Sequence, residues 1–136
     1  MEDCIFCKIV AGKIPAAKVY EDDNVISFLD IMPANKGHCL IVPKIHYETL
    51  LEVLDKDVSE MMKAAKKVAK ALSLSVGNGA YNIIMNNGKE AGQLVNHAHL
   101  HLIPRFKGDR LRLSWSHKKY ESNEMVEFQE KIKKFL

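Results

Sequence analysis

His97-Ala98-His99-Leu100-His101-Leu102-Ile103 alternates imidazole and aliphatic side chains without a break. Period two marks a β-strand, because residues two apart share a face. His97, His99 and His101 are therefore expected in one row, about 6–7 Å between neighbours, with Ala98, Leu100 and Leu102 packing behind them. Upstream, His38-Cys39-Leu40-Ile41-Val42 is a compact β-favouring run stopped by Pro43, and reads as a central strand. Lys18-Val19-Tyr20 and Val25-Ile26-Ser27-Phe28-Leu29 flank the polar Glu21-Asp22-Asp23-Asn24 and read as a hairpin. Tyr81-Asn82-Ile83-Ile84-Met85 is a further strand, followed by the loop Asn86-Asn87-Gly88-Lys89-Glu90-Ala91-Gly92.

Helical spacing occurs in three places. Ile5, Phe6, Ile9 and Val10 predict a short opening helix before Gly12. From Val58, the positions Met61, Met62, Ala65, Val68, Ala69 and Leu72 follow an i, i+3, i+4, i+7 rhythm, with Asp57 and Glu60 spaced as a capping box. Met125, Phe128, Ile132 and Phe135 predict a second amphipathic helix whose C-terminal turn carries Lys131, Lys133 and Lys134. Strands outnumber helices and their connections are mostly short. The predicted class is α+β: an antiparallel five-stranded sheet with one long helix and shorter flanking helices.

A chain of 136 residues is long enough for one domain with a sizeable core and too short for two of ordinary size. Its composition, 47% apolar and 27% charged, excludes a disordered or fibrous chain. A net charge of +3 is too small to argue for a polynucleotide partner and fits a small anion better. No run approaches the ~20 apolar residues of a membrane span. The N-terminus MEDCIFCKIV is acidic where a secretory signal is basic, so the expected address is the cytoplasm. Three cysteines without an export signal argue against a disulfide framework and leave reduced thiols or a metal site.

The histidine row fits two chemistries. Imidazole is a common metal ligand, and neutral imidazole is also a good nucleophile whose cation stabilises developing charge. The glycine- and asparagine-rich loop ending in Gly92-Gln93 can bring backbone N–H groups close to anionic oxygens, which favours phosphoryl transfer. At this point the chain resembles the histidine triad family of nucleotide hydrolases and transferases, in its Hint-like branch. The resemblance rests on His97-Ala98-His99-Leu100-His101-Leu102-Ile103, Asp30-Ile31 after Phe28, Gly37-His38-Cys39-Leu40-Ile41-Val42-Pro43-Lys44, Asn86, Gly92-Gln93 and Ile103-Pro104-Arg105, in the family's order. It implies a single domain over residues 1–136, with a core of about 4–106 and a variable C-terminal extension of about 107–136.

What the resemblance implies for the site is specific. His99 would attack an α-phosphorus and form a nucleotidyl-histidine intermediate that water resolves. His101 and His38 would contact phosphate oxygens. Asp30 would accept from the ribose hydroxyls, its alternative being a strand-ending Asx turn. Ile5, Phe6, Ile9, Ile14, Phe28 and Ile31 would form the base pocket, although such residues are core more often than ligand-lining. Asn86, Gly92 and Gln93 would complete the phosphate and sugar contacts, with Asn86 equally readable as a turn residue. One departure stands out. Where many members place Ser or Thr two positions after the glycine, this chain has Leu94, which removes a hydroxyl donor worth roughly 1.5–3 kcal/mol if nothing replaces it.

Cys4 and Cys7 form a C-x-x-C that by itself reads equally as a redox pair or as two buried thiols. In a subset of the family similar to this chain, Cys4, Cys7, His46 and His97 would be four closed ligands of a structural zinc, with no catalytic metal required. Cys39 reads as a small buried hydrophobe, and Trp115, His117, Lys118 and Lys119 as surface or partner-contact residues. The implied activity is hydrolysis of nucleoside 5′-phosphoramidates or related purine mononucleotide adducts, with a nucleotide such as AMP bound by a homodimer. A diadenosine polyphosphate hydrolase and a nucleotide-binding module with little turnover are the alternatives.

Overall fold

The computed structural model describes residues 3–136; Met1 and Glu2, part of the domain expected over 1–136 and of its acidic N-terminal stretch, lie outside the described residues. The elements are α1 (Ile5–Val10), β1 (Lys18–Glu21), β2 (Val25–Leu29), β3 (Cys39–Pro43), α2 (Asp55–Val76), β4 (Tyr81–Ile84), β5 (Leu100–Pro104) and α3 (Glu124–Lys133). The strands form one antiparallel sheet in the order β1-β2-β3-β5-β4, so the predicted α+β class and the central place of β3 hold.

Alternation along the strands feeds two cores. Val25, Cys39, Ile41, Leu100 and Leu102 point to one face, where Met61, Ala64, Ala65, Val68 and Ala69 of α2 cover them. Ile26, Phe28, Leu40 and Val42 point to the other, where Phe6 of α1 packs on them. Every residue of β3 is buried because both faces of that strand are covered. His101 sits opposite Leu40 on β3 and Ile84 on β4, which places it on the α1 face. Gly37, at φ +93°, makes the turn into His38; a Cβ there would meet Leu72 at 3.0 Å and Pro104 at 3.5 Å.

The structure departs from the sequence reading in two elements. β5 begins at Leu100, so only His101 of the three histidines lies in a paired strand. Ahead of it the Ala98 N–H donates to the Tyr47 carbonyl at 2.6 Å and the His97 N–H to the Val95 carbonyl at 2.8 Å, which takes this stretch out of the ladder. Ala98, Leu100 and Leu102 nonetheless pack into the α2-face core, as their alternation predicts. The long helix starts at Asp55 with Leu54 as N-cap and no side-chain cap, so Asp57 and Glu60 do not form a capping box. Asp57 is instead buried and accepts from the Tyr47 hydroxyl at 2.6 Å, while Glu60 pairs with Lys63. Tyr47→Phe, which strands that buried carboxylate, should cost about 1–3 kcal/mol. The check is a lower urea midpoint with an unchanged slope.

The predicted C-terminal helix forms as α3, but none of its residues is buried. No helix among the described residues is long and apolar enough to cross a membrane.

Candidate active site and metal centre

Four predicted ligands converge where α1 meets the approaches to α2 and β5. Cys4 caps α1 and its sulfur accepts from the Cys7 N–H; His46 follows β3 and His97 precedes β5. His97 Nδ1 lies 3.4 Å from Cys4 Sγ, 3.6 Å from Cys7 Sγ and 3.3 Å from His46 Nδ1, and Cys7 Sγ lies 3.3 Å from His46 Nδ1. A tetrahedral zinc with ordinary bond lengths needs S–N edges of roughly 3.5 Å and N–N edges of roughly 3.3 Å, so this donor set fits that ion. The tautomer fits as well. His97 Nε2 is 2.8 Å from the Pro43 carbonyl, which only accepts, so Nε2 carries the proton and the Nδ1 lone pair faces the sulfurs. Burial pushes His97 down to about 4, which keeps it neutral at pH 7. Desolvation, and then the Cys4 sulfur beside it, push the Cys7 thiol up, so a Cys7 thiolate calls for a cation in the site.

The second cluster stands beside the first. His99 is buried, edge-on to Phe6 at 5.1 Å and to His101 at 4.8 Å between ring centroids. Its Nδ1 lies 2.6 Å from the His97 carbonyl and therefore donates. The Nε2 atom carries the lone pair and has no protein partner among the described residues. The Ala34 N–H donates to His38 Nδ1 at 3.1 Å, leaving the His38 proton on Nε2. That proton is donated to His101 Nδ1 at 2.9 Å, which puts the His101 proton on Nε2. The geometry thus arms one imidazole with a lone pair and its neighbour with an N–H.

Burial holds His38, His99 and His101 below the ordinary imidazole range, His101 at about 4. Asp30 works against burial at His38, where its Oδ2 lies 3.7 Å from Nε2. Asp30, His38 and His101 also bring ligand atoms within 4.8 Å of one another. The His38 Nε2 proton points into that group, so it lacks the lone pair a metal would need there.

The other predicted residues are only partly gathered. Asp30 does form an Asx turn, accepting from Met32 N–H at 2.8 Å through Oδ1, and leaves Oδ2 toward His38. Phe6, Ile9 and Phe28 share the α1-face core, whereas Ile5 and Ile14 lie outside that cluster and Ile31 is 90% exposed. Asn86 reaches the Gly92 carbonyl at 3.5 Å. The Gln93 amide is consumed structurally: it donates to the carbonyls of Glu48 and Val95 and accepts from the Gly88 N–H. Cys39 is buried, as read, and Leu94 is 89% exposed.

Sequence reasoning missed Ala34 and Tyr47, which act through backbone groups, and the cluster of Asn35, Arg105 and Asp109. Arg105 had a signal in Ile103-Pro104-Arg105, whereas Asn35 and Asp109 had none.

The chain matches the HIT domain over residues 11–108. It is 44% identical over 102 residues to adenosine 5′-monophosphoramidase of Schizosaccharomyces pombe, covering 75% of this chain and 74% of that protein. A solved HIT family protein of Bacillus subtilis superposes with TM-score 0.91 at 42% identity, over 98% of this chain and 97% of that one. A zinc-bound histidine triad family protein of Mycobacterium smegmatis superposes with TM-score 0.78 at 37% identity, over 86% and 85%. With its histidine cluster, its sheet and these matches in agreement, the chain belongs to the histidine triad (HIT) family.

Proposed function

We propose that this protein is a hydrolase that cleaves nucleoside 5′-phosphoramidates, or related purine mononucleotide adducts, at the α-phosphorus. The observation that carries this is the 2.6 Å bond from His99 Nδ1 to the His97 carbonyl, which leaves the Nε2 lone pair for attack. Nε2 forms a bond to phosphorus as the P–N bond breaks; the leaving nitrogen takes its proton from solvent and departs as the amine, while the neutral His101 Nε2–H donates a hydrogen bond on that side and His38 fixes the tautomer of His101. Water then attacks the nucleotidyl-histidine, releasing AMP and restoring His99. The nucleophile is a neutral imidazole, so no step calls on a catalytic metal. The name of the fission-yeast relative supports the substrate class.

Asp30, Asn86 and Gly92 belong to the ribose and phosphate side of this reading, with Gln93 shaping the loop. Phe6, Ile9 and Phe28, with Ile5, Ile14 and Ile31 at the margin, belong to the base side. Cys4, Cys7, His46 and His97 hold a structural zinc, consistent with the zinc-bound relative. The molecule acts as one domain in the cytoplasm. It pairs as a homodimer through an exposed sheet edge such as β4, where Tyr81 and Ile83 are open to solvent.

The test is release of AMP from adenosine 5′-phosphoramidate and, in parallel, from a diadenosine polyphosphate. Faster turnover of the phosphoramidate supports the proposal; preference for the dinucleotide overturns the substrate assignment, and tight AMP binding without turnover overturns the hydrolase. The pH profile is a second check. A protonated His99 has no Nε2 lone pair, and burial lowers the pH at which it protonates. The acid limb of kcat/KM should therefore fall below pH 6.5, with a flat rate just above it. A midpoint at or above 6.5 contradicts the neutral, buried nucleophile.

A further inference from the structure

His101 offers an N–H because of a backbone amide two contacts away, and the turn that carries this amide is tied down from outside the site. Ala34 belongs to the loop between β2 and β3, where the His38 N–H also closes back onto the Asn35 carbonyl at 3.0 Å. The Asn35 side chain leaves this loop in the opposite direction. Its Nδ2 donates to the Pro104 carbonyl at the end of β5 and to Asp109 Oδ2, both at 2.9 Å. Asp109 is itself held on all sides: Arg105 donates through Nε at 2.8 Å and Nη2 at 3.1 Å, and the backbone N–H groups of Phe106 and Leu111 donate at 3.0 Å each. Arg105 is fixed in turn by Asn82 Oδ1 on β4 and the Leu111 carbonyl. These donors, Arg105 foremost, keep the Asp109 carboxyl far below the usual carboxylate range.

We infer that Asn35 and Asp109 are positioning residues for the reaction: Asp109, clamped by Arg105, holds Asn35, and Asn35 holds the Ala34–His38 turn against β5. In that position the Ala34 N–H meets His38 Nδ1, and His101 is left with its proton on Nε2. A hydrogen bond from an amide to an imidazole needs Ala34 well placed; the Asp30 N–H holds the His38 carbonyl at 2.9 Å and Asp30 Oδ1 holds the Met32 N–H at 2.8 Å, and the Asn35 side chain adds the tie next to Ala34 itself. The charged Asp109 side chain is thereby linked to the proton inventory of the site through one asparagine and one turn. The catalytic consequence rests on the proposed role of His101, but the tautomers do not.

Two-bond 1H–15N spectra of the full-length 15N-labelled protein read the tautomers directly. In the wild type, His38 and His101 should show a protonated Nε2 and a bare Nδ1, and His99 the reverse. Asn35→Ala should scramble the His38 and His101 patterns, leave that of His99 intact, and lower kcat roughly tenfold with KM within about twofold. Asp109→Asn, which keeps a carbonyl acceptor but loses the charge, should shift the same two patterns to a smaller extent. A wild type with His101 protonated on Nδ1 overturns the inference, whether or not either variant folds. So does an Asn35→Ala protein that melts lower yet keeps the wild-type 15N patterns and kcat, because that is the behaviour of a purely structural residue. If the wild type shows the expected tautomers but hydrolyses no nucleotide, the proposed function fails while the positioning assignment stands.

Discussion

Replacing His99 with alanine is expected to lower AMP release from adenosine 5′-phosphoramidate by at least about 10⁴-fold, a loss of about 5 kcal/mol of transition-state stabilisation. The size follows from chemistry rather than from packing. His101 cannot stand in as nucleophile, because its Nδ1 lone pair is engaged by the His38 proton. His38 cannot either, because its own lone pair accepts from Ala34. His97 keeps its lone pair toward Cys4 and Cys7. His38, His97, His99 and His101 each have one assigned tautomer, and of these four only His99 presents a bare nitrogen without a protein partner among the described residues. The variant should keep any metal content of the wild type, since the proposed zinc would be held through the His97 ring nitrogen Nδ1 whereas His99 bonds the His97 main-chain carbonyl, and should keep the wild-type circular dichroism. Metal analysis and melting on the same preparation separate a lost nucleophile from a lost fold. Activity within tenfold of wild type would remove His99 from the mechanism.

The strands were legible because their alternation is enforced by two separate cores, one on each face of the sheet. Cys39 and Ile41 serve the α2 face, Leu40 and Val42 the α1 face, and the uninterrupted apolar run of β3 follows from being needed on both. The start of α2 was not legible for a local reason. Asp57 and Glu60 have the spacing of a capping box, but the distant Tyr47 hydroxyl claims the Asp57 carboxylate, and a tertiary bond overrides a local motif. The histidine run was legible as a group and misread as a ladder. The backbone bends through Val95–His97 and the Ala98 N–H goes to the Tyr47 carbonyl instead of to a strand, and no pattern within seven residues can reveal that partner.

Most of the site lay in residue types, and the part that decides chemistry lay in backbone atoms. The carbonyls of Pro43 and His97 and the amide of Ala34 set the protons on His97, His99 and His38. Any residue type supplies these groups, so they leave no trace in composition or spacing. Asn35 and Asp109 are likewise separated by 74 positions and carry no motif of their own. The sequence thus names the imidazoles, and the fold assigns their tautomers.

The proposed zinc would serve the opposite demand, stability without turnover, and its removal should show there first. Cys4 and His97 are 93 positions apart, and His46 comes from a third segment, so one ion would close long loops that packing alone must otherwise hold. The ion would fasten a six-residue helix, α1, of which only Phe6 is buried. A helix so short has little stability of its own. Cys7→Ser, or removal of the metal with a chelator, is therefore expected to cost on the order of 3–5 kcal/mol and to lower the melting temperature by roughly 10–20 °C. The effect on chemistry should be smaller. His97 still donates to the Pro43 carbonyl and its own carbonyl still accepts from His99, so the protein that stays folded at 25 °C should retain kcat within a few-fold. Zinc content of one per chain in the wild type, lost in Cys7→Ser together with the melting temperature but not with kcat, is the expected result. A wild type purified without metal whose melting is indifferent to added zinc would show that the four side chains hold their geometry by packing alone. A parallel collapse of kcat at a temperature where the variant is fully folded would instead place the ion in the catalytic machinery.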